Sequence, residues 1–413
     1  MPDSTNPPIE LLQGAQEYFP ALIQAIDAAQ RSIYVESYLI NDDPPTQEVL
    51  SALLRARSRG VRVHLLLDGF GAAQDLHWLE AMLRPAGVEI ALYRPGVRWF
   101  LPSTWRRLHR KLVLIDEQMG FVGGINLMGD YFDGTTQLSA PRLDFAVQVT
   151  ALRAVKKISW AMRRLWWRLS LRKILRESLR DLIRAKDRKA ELVRVRRVWR
   201  RVRWHLRWRA SRVRLDASRR IRFFLRDNLR YRRSIEHWYL NRIALARHEV
   251  FLACAYFVPT LRFRRALIRA AARGVRVRLL LQGSADQWWT QWASQALTDE
   301  LVGAGIEVYE YQPSFLHAKV AVIDDYATVG SSNIDPFSLM LSLEANAMIE
   351  DADFSQQLRA QMEKAIAFST PSRGHQATPR SGLRPILRQL RLTVALMLLR
   401  AFLAVSGTDF RVR

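Results

Sequence analysis

The sequence predicts an α/β fold made twice, as two similar halves related by pseudo-twofold symmetry, with a basic helical insert between them and an amphipathic helix at the C-terminus. Three observations predict it. The chain repeats itself once: RGVRVHLLLDG at 59–69 returns as RGVRVRLLLQG at 273–283, AGVEIALY at 86–93 as AGIEVYEY at 304–311, and LHRKLVLID at 108–116 as LHAKVAVID at 316–324. Three matches in the same order at nearly constant offset mark a duplicated domain rather than a solenoid. Within each half, apolar β-branched runs alternate with helical stretches, the pattern of a sheet covered on both faces. The charge is confined to one segment. Between Arg153 and Arg233 there are 31 Lys and Arg against 6 acidic residues, which accounts for the whole net charge of +25.

The elements follow in order. SIYVESYLI at 32–40 reads as a strand, followed by an amphipathic helix that stops at Gly60 and by the apolar run Val61–Leu67. A second helix leads to Gly87 and the strand Val88–Tyr93. The strand Lys111–Ile115 and a return strand ending near Gly123 complete the half. These signals divide the chain into a first half at 1–152, an insert at 153–218, a second half at 219–368 and a linker with a tail at 369–413. In the insert, apolar residues at 158, 162, 165, 169, 175, 179, 182 and 183 keep helical spacing, Arg and Lys fill the other faces, and Trp160, Trp166, Trp167, Trp199, Trp204 and Trp208 are interleaved.

So concentrated a positive charge calls for a polyanionic partner. One reading is a helix at a membrane surface, with Arg on anionic headgroups and Trp at their boundary. Another is nucleic acid, with Arg on phosphates and Trp stacked on bases. A third is a solvated helix packed on the core through its apolar stripe. The membrane is the favoured partner and nucleic acid the disfavoured one. The tail points the same way: Leu392–Val405 is nearly all apolar, broken by Arg400. A helix of that length spans about 21 Å, short of the roughly 30 Å hydrocarbon core, so it is expected to lie in the interface; packing on the protein core is the alternative. No run of 18 or more apolar residues and no signal sequence is evident. The single cysteine, Cys254, excludes an intrachain disulfide and a thiolate-rich zinc site.

The chemistry lies in two H-x-K-x4-D motifs: His109, Lys111 and Asp116, followed by Gly123, Gly124 and Asn126, and His317, Lys319 and Asp324, followed by Gly330, Ser331 and Asn333. Residues two apart on a strand share a face, so each His projects with its Lys while Arg110 and Ala318 point away. The glycines at the end of the return strand let the Asn approach the same place. One His-x-Lys on a strand is ordinarily a surface accident; two copies with matching flanks at repeat-equivalent positions are not. Two halves face to face supply two imidazoles, two ammoniums and two amides. One imidazole can attack phosphorus, the other can serve as acid and then base, and Lys111, Lys319, Asn126 and Asn333 can hold the non-bridging oxygens. No metal or other cofactor is needed. Asp116 and Asp324 belong to the catalytic motifs, yet they follow apolar runs at strand ends and are expected to brace the fold.

The paired motifs with their trailing G-[GS]-x-N resemble the phospholipase D superfamily. Within it, QEYFPALIQAIDAAQRSIYVESYLI, RGVRVHLLLDGFG, HRKLVLID, FVGGIN, AYFVP and HAKVAVIDD with ATVGSSNIDPFSLMLSLEAN are similar to bacterial cardiolipin synthases, most of all to their B type, across most of 10–365. The chain shows no N-terminal transmembrane pair of the main synthase type, which favours the shorter B-like type. Two departures stand out. The stretch from Asp324 to Gly330 is one residue shorter than that from Asp116 to Gly123, so a turn is trimmed, and the insert is more basic and Trp-rich than the family pattern.

The resemblance implies further roles. An acid a few dozen residues after each His orients it: Asp144 follows His109 and Glu344 follows His317, each inside an apolar run where a lone carboxylate is costly. The family's usual order makes His109 the nucleophile and His317 the general acid and base, which the residues themselves do not distinguish. The implied reaction is phosphatidyl transfer between two molecules of the anionic lipid phosphatidylglycerol, with release of glycerol, by an enzyme attached peripherally to the cytoplasmic face of a bacterial inner membrane. A phospholipase D-type hydrolase or nuclease is the alternative. A non-catalytic membrane scaffold is a third possibility, opposed by the complete His, Lys and Asn sets.

Overall fold

The computed structural model describes residues 8–96, 106–132, 137–184, 220–227, 231–283, 297–335, 338–339 and 342–372. The tail after 372 and the insert from 185 to 219, with Trp199, Trp204 and Trp208, lie outside the described residues.

The first half runs β1 (Ile9–Gln13), α1 (Gly14–Ala28), β2 (Ser32–Ser37), α2 (Pro44–Ser58), β3 (Arg62–Asp68), α3 (Leu76–Leu83), β4 (Glu89–Tyr93), β5 (Lys111–Ile115), β6 (Met119–Gly123) and β7 (Phe145–Val149). The helix α4 (Leu152–Arg184) leaves it. The second half runs β8 (Ile221–Arg226), α5 (Ser234–Leu245), β9 (Glu249–Cys254), α6 (Leu261–Ala272), β10 (Arg276–Gln282), β11 (Glu307–Tyr311), β12 (Lys319–Ile323), β13 (Tyr326–Gly330), β14 (Glu344–Glu350), α7 (Ala352–Ala367) and β15 (Ser369–Pro371).

The sheets have orders β1-β7-β6-β5-β2-β3-β4 and β15-β11-β10-β9-β12-β13-β14-β8. Read from the opposite end, the second order matches the first strand for strand, with β15 added at the edge. Both are mixed: β2-β3-β4 and β9-β10-β11 are parallel, the rest antiparallel. One apolar face of each sheet enters a common core, where Leu114, Val122 and Val147 meet Val320, Val329 and Ala347. The other faces pack on their own helices. The start of α4 shares the common core through Val155, Ile158 and Met162, so the apolar stripe at this end of the insert serves packing. Farther along, Arg163 pairs with Glu117 at 2.5 Å, and the Trp166 ring meets His64 4.8 Å away.

Asp116 and Asp324 sit at the far ends of β5 and β12. Asp116 accepts the backbone N–H groups of Gln30, Arg31 and Ser32, where β2 begins. Asp324 accepts those of Arg247, His248 and Glu249, where β9 begins. Burial pushes the Asp324 carboxyl up, but these three donors outweigh it and hold the group below its usual value. At roughly 3.3 Å per residue, five strand residues separate each aspartate from its lysine by about 16 Å. This distance removes both from the catalytic set and leaves the brace. The trimmed turn is visible here: Ile115 pairs with Met119 across three turn residues, Ile323 with Tyr326 across two.

Arg110 turns away from the site and pairs at 2.8 Å with Glu36, both buried. The register places Ala318 and Ala253 at the same two positions of the second half. Breaking a buried pair from one side strands a charge and costs about 3–5 kcal/mol, whereas losing both partners costs less. Glu36→Ala is therefore expected to be the more destabilising change, and adding Arg110→Ala to recover part of the loss. Urea unfolding of the two singles and the double measures this coupling; additive losses would contradict it.

Candidate active site

Each motif histidine, His109 and His317, stands just before a strand of its own half and is clamped by the other half. Leu108 bridges Leu343, and Leu143 bridges Leu316. The His109 N–H donates to Leu343 O at 3.0 Å, and the His317 N–H to Leu143 O at 2.9 Å. The residue after each clamping leucine is an acid, Glu344 or Asp144, so the acids are exchanged between the halves. His109 Nδ1 lies 3.0 and 3.2 Å from the two Glu344 oxygens, and His317 Nδ1 lies 2.6 Å from Asp144 Oδ2. Sequence order suggests a partner within the same half. The structure replaces that pairing with one across the interface, because the bridges run between halves. A carboxylate on Nδ1 fixes the tautomer that leaves Nε2 as the reactive nitrogen.

The lysines are buried beside these pairs. Lys111 Nζ donates to His109 O at 2.9 Å, and Lys319 Nζ donates to His317 O. Burial and then the Lys319 charge pull Lys111 down to about 7; burial pulls Lys319 down to about 8. Burial raises Asp144 to about 6, against the pull of Lys319. Burial, opposed by Glu344, lowers His109; burial together with Lys319, Arg142 and Lys111 holds His317 well below the usual imidazole value. Both shifts favour the neutral imidazole, the form that attacks rather than the form that donates a proton. An anion placed among these cations would raise the histidines again.

Asn126 and Asn333 follow β6 and β13 and are buried. The Leu39 N–H donates to Asn126 Oδ1 at 3.2 Å, so Nδ2 is the end this amide offers an anion. Ser331 and Gly124 occupy equivalent places and differ. Ser331 Oγ donates to Glu344 Oε2 at 2.5 Å, whereas a Cβ on Gly124 would collide with Asp144 Oδ1.

The structure adds residues that sequence reasoning missed. Asp68 Oδ2 accepts the Leu108 N–H at 2.7 Å, and Gln282 Oε1 accepts the Leu316 N–H, so each holds the residue before a motif histidine. They end the repeated RGVRVxLLL run, and a polar residue kept at that place was the available signal. Ser37 and Cys254 are a second such pair. Ser37 Oγ accepts from Leu127 N at 3.4 Å and Cys254 Sγ from Ile334 N at 3.3 Å, holding the residue after each Asn. Tyr38 lies 5.1 Å from His109, ring to ring, and Lys111 Nζ is 5.6 Å from its centroid. Among the described residues no group of three or more His, Cys, Asp and Glu is placed to hold a metal ion.

Residues 22–166 and 239–366 match the family described as cardiolipin synthase, PLD-like domain. Cardiolipin synthase B of Escherichia coli (strain K12) is 34% identical over 362 residues, covering 87% of this chain and 80% of that protein. A probable cardiolipin synthase of Bacillus subtilis (strain 168) is 28% identical over 373 residues, 89% of this chain and 67% of its own. In three dimensions the phosphatidylserine synthase of Haemophilus influenzae Rd KW20 matches 97% of this chain and 95% of its own with a TM-score of 0.61 at 14% identity, a likeness of fold. Fold and family define an enzyme, a phosphatidyltransferase of the phospholipase D type. The chain belongs to the phospholipase D-like cardiolipin synthase family.

The depressed lysines predict a pH dependence. Below about 7 both ammoniums are charged; as pH rises through about 7 and then about 8 they lose their protons in turn. Binding of sulfate, whose own charge is constant over this range, is expected to weaken over that interval in calorimetric titration. Lys111→Met should bind sulfate more weakly at low pH and retain only the later decline. A flat profile in the unmodified enzyme would show that the lysines stay charged.

Proposed function

We propose that the protein is a cardiolipin synthase that transfers a phosphatidyl group between two phosphatidylglycerol molecules through a phosphohistidine. The observation that carries this reading is the pair of crossed His–carboxylate dyads flanked by two buried lysines. His109 Nε2 attacks the phosphorus of the first lipid, the P–O bond to its glycerol headgroup breaks, and His317 supplies the proton that leaves with glycerol. His317 then takes a proton from a glycerol hydroxyl of the second lipid. That oxygen attacks phosphorus, the P–N bond breaks, and cardiolipin is released. His317 is depressed first by burial and then by neighbouring cations, and the bound phosphodiester offsets the cationic part so that it can gain its proton. Lys111, Lys319, Asn126 and Asn333 carry the non-bridging oxygens. Asp144 and Glu344 stay on Nδ1 throughout.

The second part of the proposal is attachment to the cytoplasmic face of a bacterial inner membrane through the insert at 153–218 and the tail at 369–413. Trp160 supports it: it is exposed on α4, with the Arg164 guanidinium 4.8 Å from its ring centroid, a cation beside an interfacial aromatic. No helix among the described residues is long and apolar enough to cross a membrane.

Two experiments test this. Purified enzyme with labelled phosphatidylglycerol is expected to give cardiolipin and glycerol, to keep its activity in EDTA, and to leave single-stranded DNA intact. His109→Ala and His317→Ala should each abolish turnover while remaining folded, and acid-labile, base-stable phosphate should be trapped on His109. Cleavage of DNA without lipid transfer would move the function to a nuclease, and full activity in either variant would remove the mechanism. Vesicle sedimentation is expected to show binding that requires anionic lipid and weakens with salt, as the Debye length shrinks to about 3 Å at 1 M. Equal binding to neutral vesicles would refute the electrostatic part.

A further inference from the structure

Each half ties the connection between its Asn and its orienting acid with one buried guanidinium, and the repeat does not relate the two arginines. In the first half Arg142 is 5% exposed. Its Nη2 donates to Gly129 O at 2.9 Å and lies 4.0 Å from Asp130 Oδ1, and its Nη1 reaches Met128 Sδ at 3.5 Å. Met128 and Gly129 closely follow Asn126, and Arg142 itself stands two residues before Asp144. In the second half the place of Arg142 is taken by Ser342, and the guanidinium arrives from Arg226, the last residue of β8, 1% exposed. Its Nε donates to Leu339 O at 3.1 Å and its Nη1 to Ser342 O. The register sets Arg226 opposite Glu344. The equivalent place in the first half is Gly14, with φ 66°, where an added Cβ would lie 2.7 Å from Asp130 Oδ2. One half fills this space with an arginine from the neighbouring strand, the other with Asp130 and Arg142.

A buried guanidinium is costly, and apolar residues could fill the same volume at less cost. What they could not do is satisfy the carbonyls of Gly129, Leu339 and Ser342. These carbonyls lie on the segments that carry the acids and clamp the histidines. Ser342 precedes Leu343, whose carbonyl takes the His109 N–H, and Arg142 precedes Leu143, whose carbonyl takes the His317 N–H.

We propose that Arg226 and Arg142 are positioning residues, Arg226 setting Glu344 for His109 and Arg142 setting Asp144 for His317. The proposal rests on the reading in which His109 attacks and His317 transfers protons, and it requires the two arginines to act on different steps. A phosphodiester with a p-nitrophenyl leaving group separates those steps, because p-nitrophenolate departs without a proton. His317→Ala should still release one equivalent as a burst and His109→Ala none. If these controls fail, the mechanism is at fault rather than the positioning.

With the controls in place, Arg226→Met is expected to slow the burst about tenfold or more, the scale of loss from a misplaced reacting group. Arg142→Met should leave the burst near that of the unmodified enzyme but slow transfer from phosphatidylglycerol by a similar factor. Guanidinium ion should restore part of the burst in Arg226→Ala. Equal slowing of both substrates by both variants, or of neither, would overturn the proposal. Should the Met variants fail to fold, Arg226→Lys and Arg142→Lys keep the charge, and the same two substrates read the same separation.

Discussion

The active site depends on a short exchange of backbone between the halves. Two isolated bridges, Leu108 with Leu343 and Leu143 with Leu316, place each motif histidine beside the acid of the opposite half. Here the backbone N–H, the preceding residue and Nδ1 are each held by a different group, which leaves the ring little freedom. The common core between the sheets makes the exchange possible by fixing the distance between β5 and β12.

Around this constraint the halves reach the same geometry with different chemistry. An aspartate and a glutamine take the N–H before each histidine, and a serine and a cysteine hold the residue after each asparagine. A buried ion pair, Glu36 with Arg110, stands where the other half has two alanines. Each difference keeps the hydrogen bond or the packing that the position requires and changes the group that provides it. The lysines show the opposite case. They are the same in both halves, and their mutual repulsion in a buried place is part of what depresses Lys111.

Much of this was legible in the sequence. The repeat gave the two halves, and the two-residue spacing put His109 with Lys111 and His317 with Lys319 on one face of each strand. The bracing of Asp116 and Asp324 followed from their place after apolar runs. The exchange of Asp144 and Glu344 was not legible, because periodicity reports which face a residue takes within a sheet and says nothing of which sheet it meets. Asp68, Gln282, Ser37 and Cys254 escaped for a related reason: their role is to accept a backbone N–H, and a single side chain at a strand end carries no pattern. Arg226 was hidden by composition, one arginine among 31 basic residues between Arg153 and Arg233.

The crossed dyads also bear on why the chain is double. A half on its own holds a histidine and an acid that cannot meet, so it would gain a working dyad only by pairing with a second copy about a twofold axis. Such a dimer is bound to have two identical centres. A fused chain keeps the geometry and is released from that identity. Glu344 accepts from the Ser331 hydroxyl, whereas Asp144 faces Gly124, where a side chain would collide with it, and accepts the Phe145 N–H instead. Fusion thus permits what a homodimer forbids: two dyads with the same geometry and different surroundings.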